Sequence, residues 1–294
     1  MTRSLIVGER PLPVVLRPAR DELLSSWLRR HVNFYGVTEP TFAAWLSLGT
    51  KNLRGLDGRL GLGQMARIVE KFRCDPKAVL EMTHVQLPTE FTQMVCYGRP
   101  SQFCHSCWEE HLAADAQGVV MKSWREGWRV TCPVCGSPLS EGDRPRSTDH
   151  TVRDTSPFST HWDSARKGED ILNGRLIGKP TQLASPVSMM RLLLILGRSK
   201  AETPSGLYRK SWLLNEVVPG FDAEALRFSP SISKGAVALV PLHLRVALLA
   251  GLAFAATDAV GTIRRLRTRC RQFYVSRFDE IAAAAIGGGV DFSF

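Results

Sequence analysis

The stretches CHSC at 104–107 and CPVC at 132–135 put four of the chain's seven cysteines into two identical spacings, with 24 residues between the pairs. Two residues between thiols is the separation at which one short turn can aim both sulfurs at a single ion, and two such turns complete a tetrahedron. Cys104, Cys107, Cys132 and Cys135 are therefore candidate ligands of one Zn2+. Four thiolates leave no open position for water, so the ion they would hold is structural rather than catalytic. It would replace the large core that so short a module lacks. Two other uses of these cysteines stay open: a redox dithiol in CPVC, and four buried thiols without a ligand. The redox use needs a preceding βαβ pattern and a helix opening at the first cysteine, whereas Gly136-Ser137-Pro138 stops any helix after the second pair. His105, His111 and Cys96 lie near enough in sequence to be substitute ligands, and His105, inside a knuckle, is expected to face solvent or a neighbouring side chain.

A chain of 294 residues can bury a sizeable core and form one large domain or two to three small ones. Its 44% hydrophobic and 22% charged content argues against wholesale disorder. The excess of 38 Lys and Arg over 28 Asp and Glu, a formal charge of +10, favours anionic partners such as nucleic acid or an acidic protein surface. Seven cysteines are too few for a disulfide scaffold, and MTRSLIVGERPLPVV lacks the sustained apolar run of a secretory signal. A reducing, cytoplasmic location is expected. The apolar stretch 235–256 approaches the length of a membrane span, but Pro241, His243 and Arg245 interrupt it, which favours a buried helix and no membrane partner.

The periodicity is mainly helical. Leu23, Leu24, Trp27, Leu28 and Val32 recur at helical spacing, with Asp21 placed to cap the helix and Gly36 to close it. Leu62, Met65, Ile68, Val69 and Phe72 mark one helix face, and Asp75-Pro76 starts a second helix, giving a helix-turn-helix shape that a plain core-packing hairpin would equally produce. Cys74 belongs to that core. Residues 141–185 are rich in Ser, Thr, Asp, Arg and Pro, with little periodicity, and read as a linker or long loop. Helices are expected in SPVSMMRLLLILGR and again over 240–268, from Pro241 into an arginine-rich end. The expected organisation is an N-terminal helical region over 1–90, a zinc-ribbon-like finger over 91–140, the linker, and a basic helical C-terminal domain over 186–294.

The segment QFCHSCWEEHLAADAQGVVMKSWREGWRVTCPVCGSPL resembles the TniQ family of transposition target-selection proteins, in which a cysteine pair, an aromatic and arginine-containing stretch and a second metal-ligating pair precede Gly and Leu. The opening RPLPVVLRPARDELLSSWLRR is similar to the start of that family, so the likeness spans about the first 140 residues. His105 stands where many members have proline, and Cys135 where many have histidine; both keep four ligands. The resemblance implies a non-catalytic adaptor. It would connect target DNA, or a DNA-bound complex such as an RNA-guided effector, to an AAA+ transposition regulator ATPase. A second copy of the chain is a further candidate partner. The alternative is a zinc-containing, sequence-specific transcription regulator using the same finger and helix pair.

Between the knuckles, Trp108, Trp124 and Trp128 with Arg125 and Arg129 can pack the finger or serve as hot spots for a partner, and packing is favoured because a small module needs every apolar contact. GRLIGKP at 174–180 fails as a phosphate loop: its spacing is one residue short and Pro180 replaces the magnesium-binding hydroxyl. No HExxH or GxSxG is present, and the acidic residues form no recognisable triad, so no catalytic residue is expected. Arg264, Arg265, Arg267, Arg269 and Arg271, close to Phe273 and Tyr274, are candidate phosphate contacts, with a solvated helix end as the plainer reading.

Overall fold

A computed structural model describes residues 10–98, 102–114, 118–142, 150–198, 211–228, 237 and 240–288. Among these the chain is mainly helical. Five helices come first: α1 (Leu24–Phe34), α2 (Glu39–Trp45), α3 (Leu62–Phe72), α4 (Pro76–Glu81) and α5 (Thr89–Thr92). A short strand β1 (Gln102–Phe103), helix α6 (His105–Ala113) and a second strand β2 (Ser140–Glu141) make the cysteine module. The remaining helices are α7 (Val152–Thr155), α8 (Trp162–Leu176), α9 (Pro186–Leu193), α10 (Phe221–Ala225), α11 (Leu242–Thr257), α12 (Ala259–Arg269) and α13 (Val275–Ile286).

Helix α1 buries Leu24, Trp27, Leu28 and Val32, as its spacing predicts, against Phe42, Phe72 and neighbours in a first apolar core drawn from residues 24–82. Trp27 and Phe72 lie 4.5 Å apart, centroid to centroid. Asp21 does not cap this helix. Its backbone is left-handed (φ 59°), which turns the carboxylate away from α1 to accept from the Ser123 N–H at 3.0 Å. Asp75 does cap α4, accepting from Lys77 N at 2.9 Å. Helix α4 has only six residues and turns Val79 into the core, so α3 and α4 form a packing hairpin; Leu62, at the start of α3, is 81% exposed, while Ile68 and Phe72 are buried.

A second core runs from Phe91 to Ala285 and includes Trp124 and Trp128 of the cysteine module together with α8, α9, α11, α12 and α13. Module and C-terminal helices thus share one interior. The segment expected as a linker carries α7 and α8 instead, and α8 is the principal partner of α11. Its buried stripe is Trp162, Ala165, Gly168 and Leu172, two of them small, which left little hydrophobic signal in a polar stretch. Smallness is what the packing needs there: a Cβ on Gly168 would lie 2.1 Å from the Leu249 carbonyl oxygen, so the two backbones touch.

Helix α11 is buried almost all round and begins after Pro241, as expected. The helix expected over 240–268 is two, bent by 119° at Asp258, whose side chain accepts from Gly261 N at 2.9 Å and caps α12. No single described helix is long and apolar enough to cross a membrane.

Candidate metal centre

The module is closed at its ends by the antiparallel pairing of β1 with β2, Gln102 opposite Glu141 and Phe103 opposite Ser140. This ladder brings the two cysteine pairs together. Cys104 is the N-cap of α6 and Cys107 lies in its first turn, where the helix N-terminus favours thiolate. The second pair sits in a tight turn in which Cys132 N donates to Ser137 O (2.8 Å) and Gly136 N to Cys132 O (2.9 Å). Gly136, with φ 76°, supplies the left-handed residue that this turn requires. The first pair is thus a helix start rather than the knuckle its spacing suggested.

The four Sγ atoms lie within 4.8 Å of one another, with Cys104 to Cys135 at 3.3 Å and Cys107 to Cys132 at 3.7 Å. A tetrahedral ion with sulfur ligands at ~2.3 Å spaces those ligands about 3.8 Å apart, so the cluster is the size that one ion needs. Its proton affinities are divided. A hydrogen bond with Cys104 holds the Cys132 thiol down to about 5, the same bond pushes Cys104 up, and burial raises Cys107 to about 12. Four sulfurs this close cannot all ionise beside one another, and a divalent cation supplies the positive charge that would allow it. The donor set therefore fits a metal ion. His105 faces out and pairs with Glu109 at 3.3 Å, and neither His111 nor Cys96 joins the cluster.

The tryptophans and arginines between the pairs are structural. Trp124 and Trp128 are fully buried, and Trp108 stacks on Trp124 with centroids 6.0 Å apart. Arg125, 2% exposed, donates to Asp57 at 2.9 Å, and Asp57 also accepts from the Ser25 N–H (2.8 Å) and hydroxyl (2.7 Å). Burial pushes the Asp57 carboxyl up, and the Ser25 hydroxyl and Arg125 pull it back. Arg129 pairs with Glu126 and lies 3.5 Å from Glu169 of α8. Burial raises Glu126, but Arg129 and the His84 ring override it and leave the carboxyl at about 2. On the far side, Arg245 of α11 donates to Gln102 in β1 and to the Arg129 carbonyl. Buried charges thus bolt the module to the helices on both sides. Sequence reading missed this framework because its members, residues 25, 57, 125, 129, 169 and 245, are scattered along the chain.

The arginine-rich helix end is partly committed to the fold. Arg267 makes a bidentate pair with Asp279 of α13 (2.7 and 3.1 Å), Arg269 lies 3.7 Å from Glu216, and Arg271 Nε donates to Gly197 O at 2.9 Å. Arg264 and Arg265 are exposed, without an ion pair among the described residues. Of the five candidate contacts, these two keep their guanidinium groups available.

Fold and site together define a mainly helical protein organised around a four-cysteine cluster able to hold a metal ion. Residues 13–139 match the TniQ family model, a span that includes α1 and both cysteine pairs, so this part of the chain carries a TniQ domain. No curated protein and no solved structure gives a significant match. A TniQ domain implies a role in transposition connected with target selection, in association with the transposition machinery and DNA.

Proposed function

We propose that the protein is a non-catalytic adaptor that helps select the transposition target, linking target DNA, or a DNA-bound complex such as an RNA-guided one, to an AAA+ regulator ATPase in the cytoplasm. The observation that carries this reading is the coincidence of the family match with all four clustered cysteines. One structural Zn2+ held by Cys104, Cys107, Cys132 and Cys135 would fix α6 against the second turn. The module's buried Trp124, Trp128 and Arg125 then keep its outer face rigid, and a preorganised face binds without an ordering cost. Among the arginines of α12, Arg264 and Arg265 supply sequence-independent contact to DNA. Target specificity comes from the partner complex.

The test is capture of the candidate ATPase by the full chain, with and without DNA, repeated with Cys104→Ser and Cys132→Ser. Zinc-dependent capture supports the adaptor. Unchanged capture after loss of the metal removes the module from docking, and tight binding of one operator by the isolated protein would favour the transcription regulator instead.

A further inference from the structure

A cleft lined by Arg54 and Arg59 lies beside the turn that carries Asp57. The turn Leu53–Asp57 is a single 3-10 segment, capped by Asn52, whose side chain accepts from Arg54 N at 3.0 Å. Leu53 and Leu56 anchor it in the first core, and Asp57 is consumed inward by Ser25 and Arg125. That inward turn of the only carboxylate in the segment leaves Arg54 and Arg59 exposed, without an acidic partner among the described residues. Both guanidinium-bearing chains line one cleft of about 620 Å³ with Thr92, Gln93 and Tyr97.

The aromatic wall is built with little tolerance. A Cβ on Gly58 would meet the Tyr97 ring at 2.4 Å, so glycine at 58 is what lets the ring lie against the turn. Tyr97 is 41% exposed and its ring is braced edge-on by His84 at 6.2 Å. Gly55, by contrast, has nothing within 4 Å of a built Cβ, so its Cα faces open space.

We propose that this cleft binds a phosphodiester of a nucleic-acid strand, Arg54 and Arg59 holding the phosphate and the Tyr97 ring taking the adjacent sugar or base. Two unpaired guanidinium groups flanking a half-exposed aromatic ring combine charge neutralisation with a stacking platform, the pairing that recognises a strand irrespective of sequence. Hydroxyl and amide groups at Thr92 and Gln93 supply neutral polar contacts. The volume suits one nucleotide, and the cleft is open at its rim, as a continuous strand requires. The inference rests on the adaptor reading for its DNA partner, and it moves the main nucleic-acid contact from α12 to the N-terminal region.

Fluorescence anisotropy of the zinc-loaded full chain with a labelled 20-mer single strand and the matching duplex, over 50 to 200 mM KCl, tests it. The double variant Arg54→Ala/Arg59→Ala should show a slope of log K against log salt shallower by about two, which over that range amounts to about tenfold less salt sensitivity. Tyr97→Leu should weaken the single strand more than the duplex, with its slope unchanged. Gly55→Leu, whose Cβ would meet nothing within 4 Å and whose side chain would take up space in the cleft, should weaken both. Circular dichroism melts of each variant separate misfolding from lost contact. Wild-type slope and affinity in both the arginine double variant and Gly55→Leu would overturn the proposal. If Arg264→Ala/Arg265→Ala alone loses binding, the cleft is wrong and the DNA reading stands; if the wild type binds no nucleic acid, the DNA reading fails with it. A polyglutamate competitor as effective as unlabelled DNA would mean a generic polyanion surface, and would also overturn the proposal.

Discussion

The cysteine module and the stack of α8 on α11 lie in one core yet are held by opposite means. In the module, strand pairing is two residues long and the order depends on four sulfurs meeting within 4.8 Å. In the stack, a 16-residue helix buried almost all round meets a glycine that admits its backbone directly. One region is closed by an ion-sized polar cage and the other by surface complementarity, so they should respond to different insults.

Metal removal should separate them most. Structural zinc contributes on the order of 10 kcal/mol to small modules at neutral pH. Chelation, or Cys104→Ser with Cys132→Ser, should therefore abolish hydrogen-exchange protection across 102–141 while α8 and α11 keep theirs. Equal loss in both regions would mean that the cage organises the whole second core. Arg125→Leu comes next. It leaves Asp57 buried without its cation and should cost about 3–5 kcal/mol in urea unfolding, with Asp57→Asn in the same chain recovering a large part. Gly168→Leu strikes the stack alone: driving a side chain into the Leu249 carbonyl should cost above about 3 kcal/mol by overpacking, with metal content unchanged.

The smallest effect concerns pH and lies in the first core. Burial lowers His31 to about 4, and the ring is fixed neutral, Nδ1 donating to Trp27 O and Nε2 accepting from Leu16 N. The unfolded chain binds a proton at the ordinary histidine value of ~6.5, before the folded chain does, so stability is complete above that pH and falls as pH drops toward 4. The loss should reach about 3 kcal/mol at pH 4, read as a decline in urea midpoint that His31→Gln removes. A decline of equal size in the variant would assign the effect to carboxylates.

What the sequence shows and what it hides follow the same division. The cage was legible because metal ligation demands particular residue types at fixed short spacing, and four cysteines satisfy it whatever the rest of the fold does. The helical faces of α1 and α9 were legible through their periodicity, and the cap at Asp75 through local hydrogen bonding. Helix α8 was not, since an Ala and a Gly on its buried stripe carry close contact without hydrophobic signal. Asp21 was misassigned because a carboxylate three residues before a helix resembles a cap, while its actual partner, Ser123, is 102 positions away. Arg267, Arg269 and Arg271 read as a basic patch because Asp279, Glu216 and the Gly197 carbonyl, which engage them, are invisible locally.

X-ray absorption at the zinc edge, on purified reduced full-length protein with its metal content measured in the same sample, addresses the cage directly. One zinc per chain with four sulfur neighbours at ~2.3 Å is the predicted result. A first shell containing nitrogen or oxygen, or protein that folds with its four thiols free and no stoichiometric metal, would contradict it.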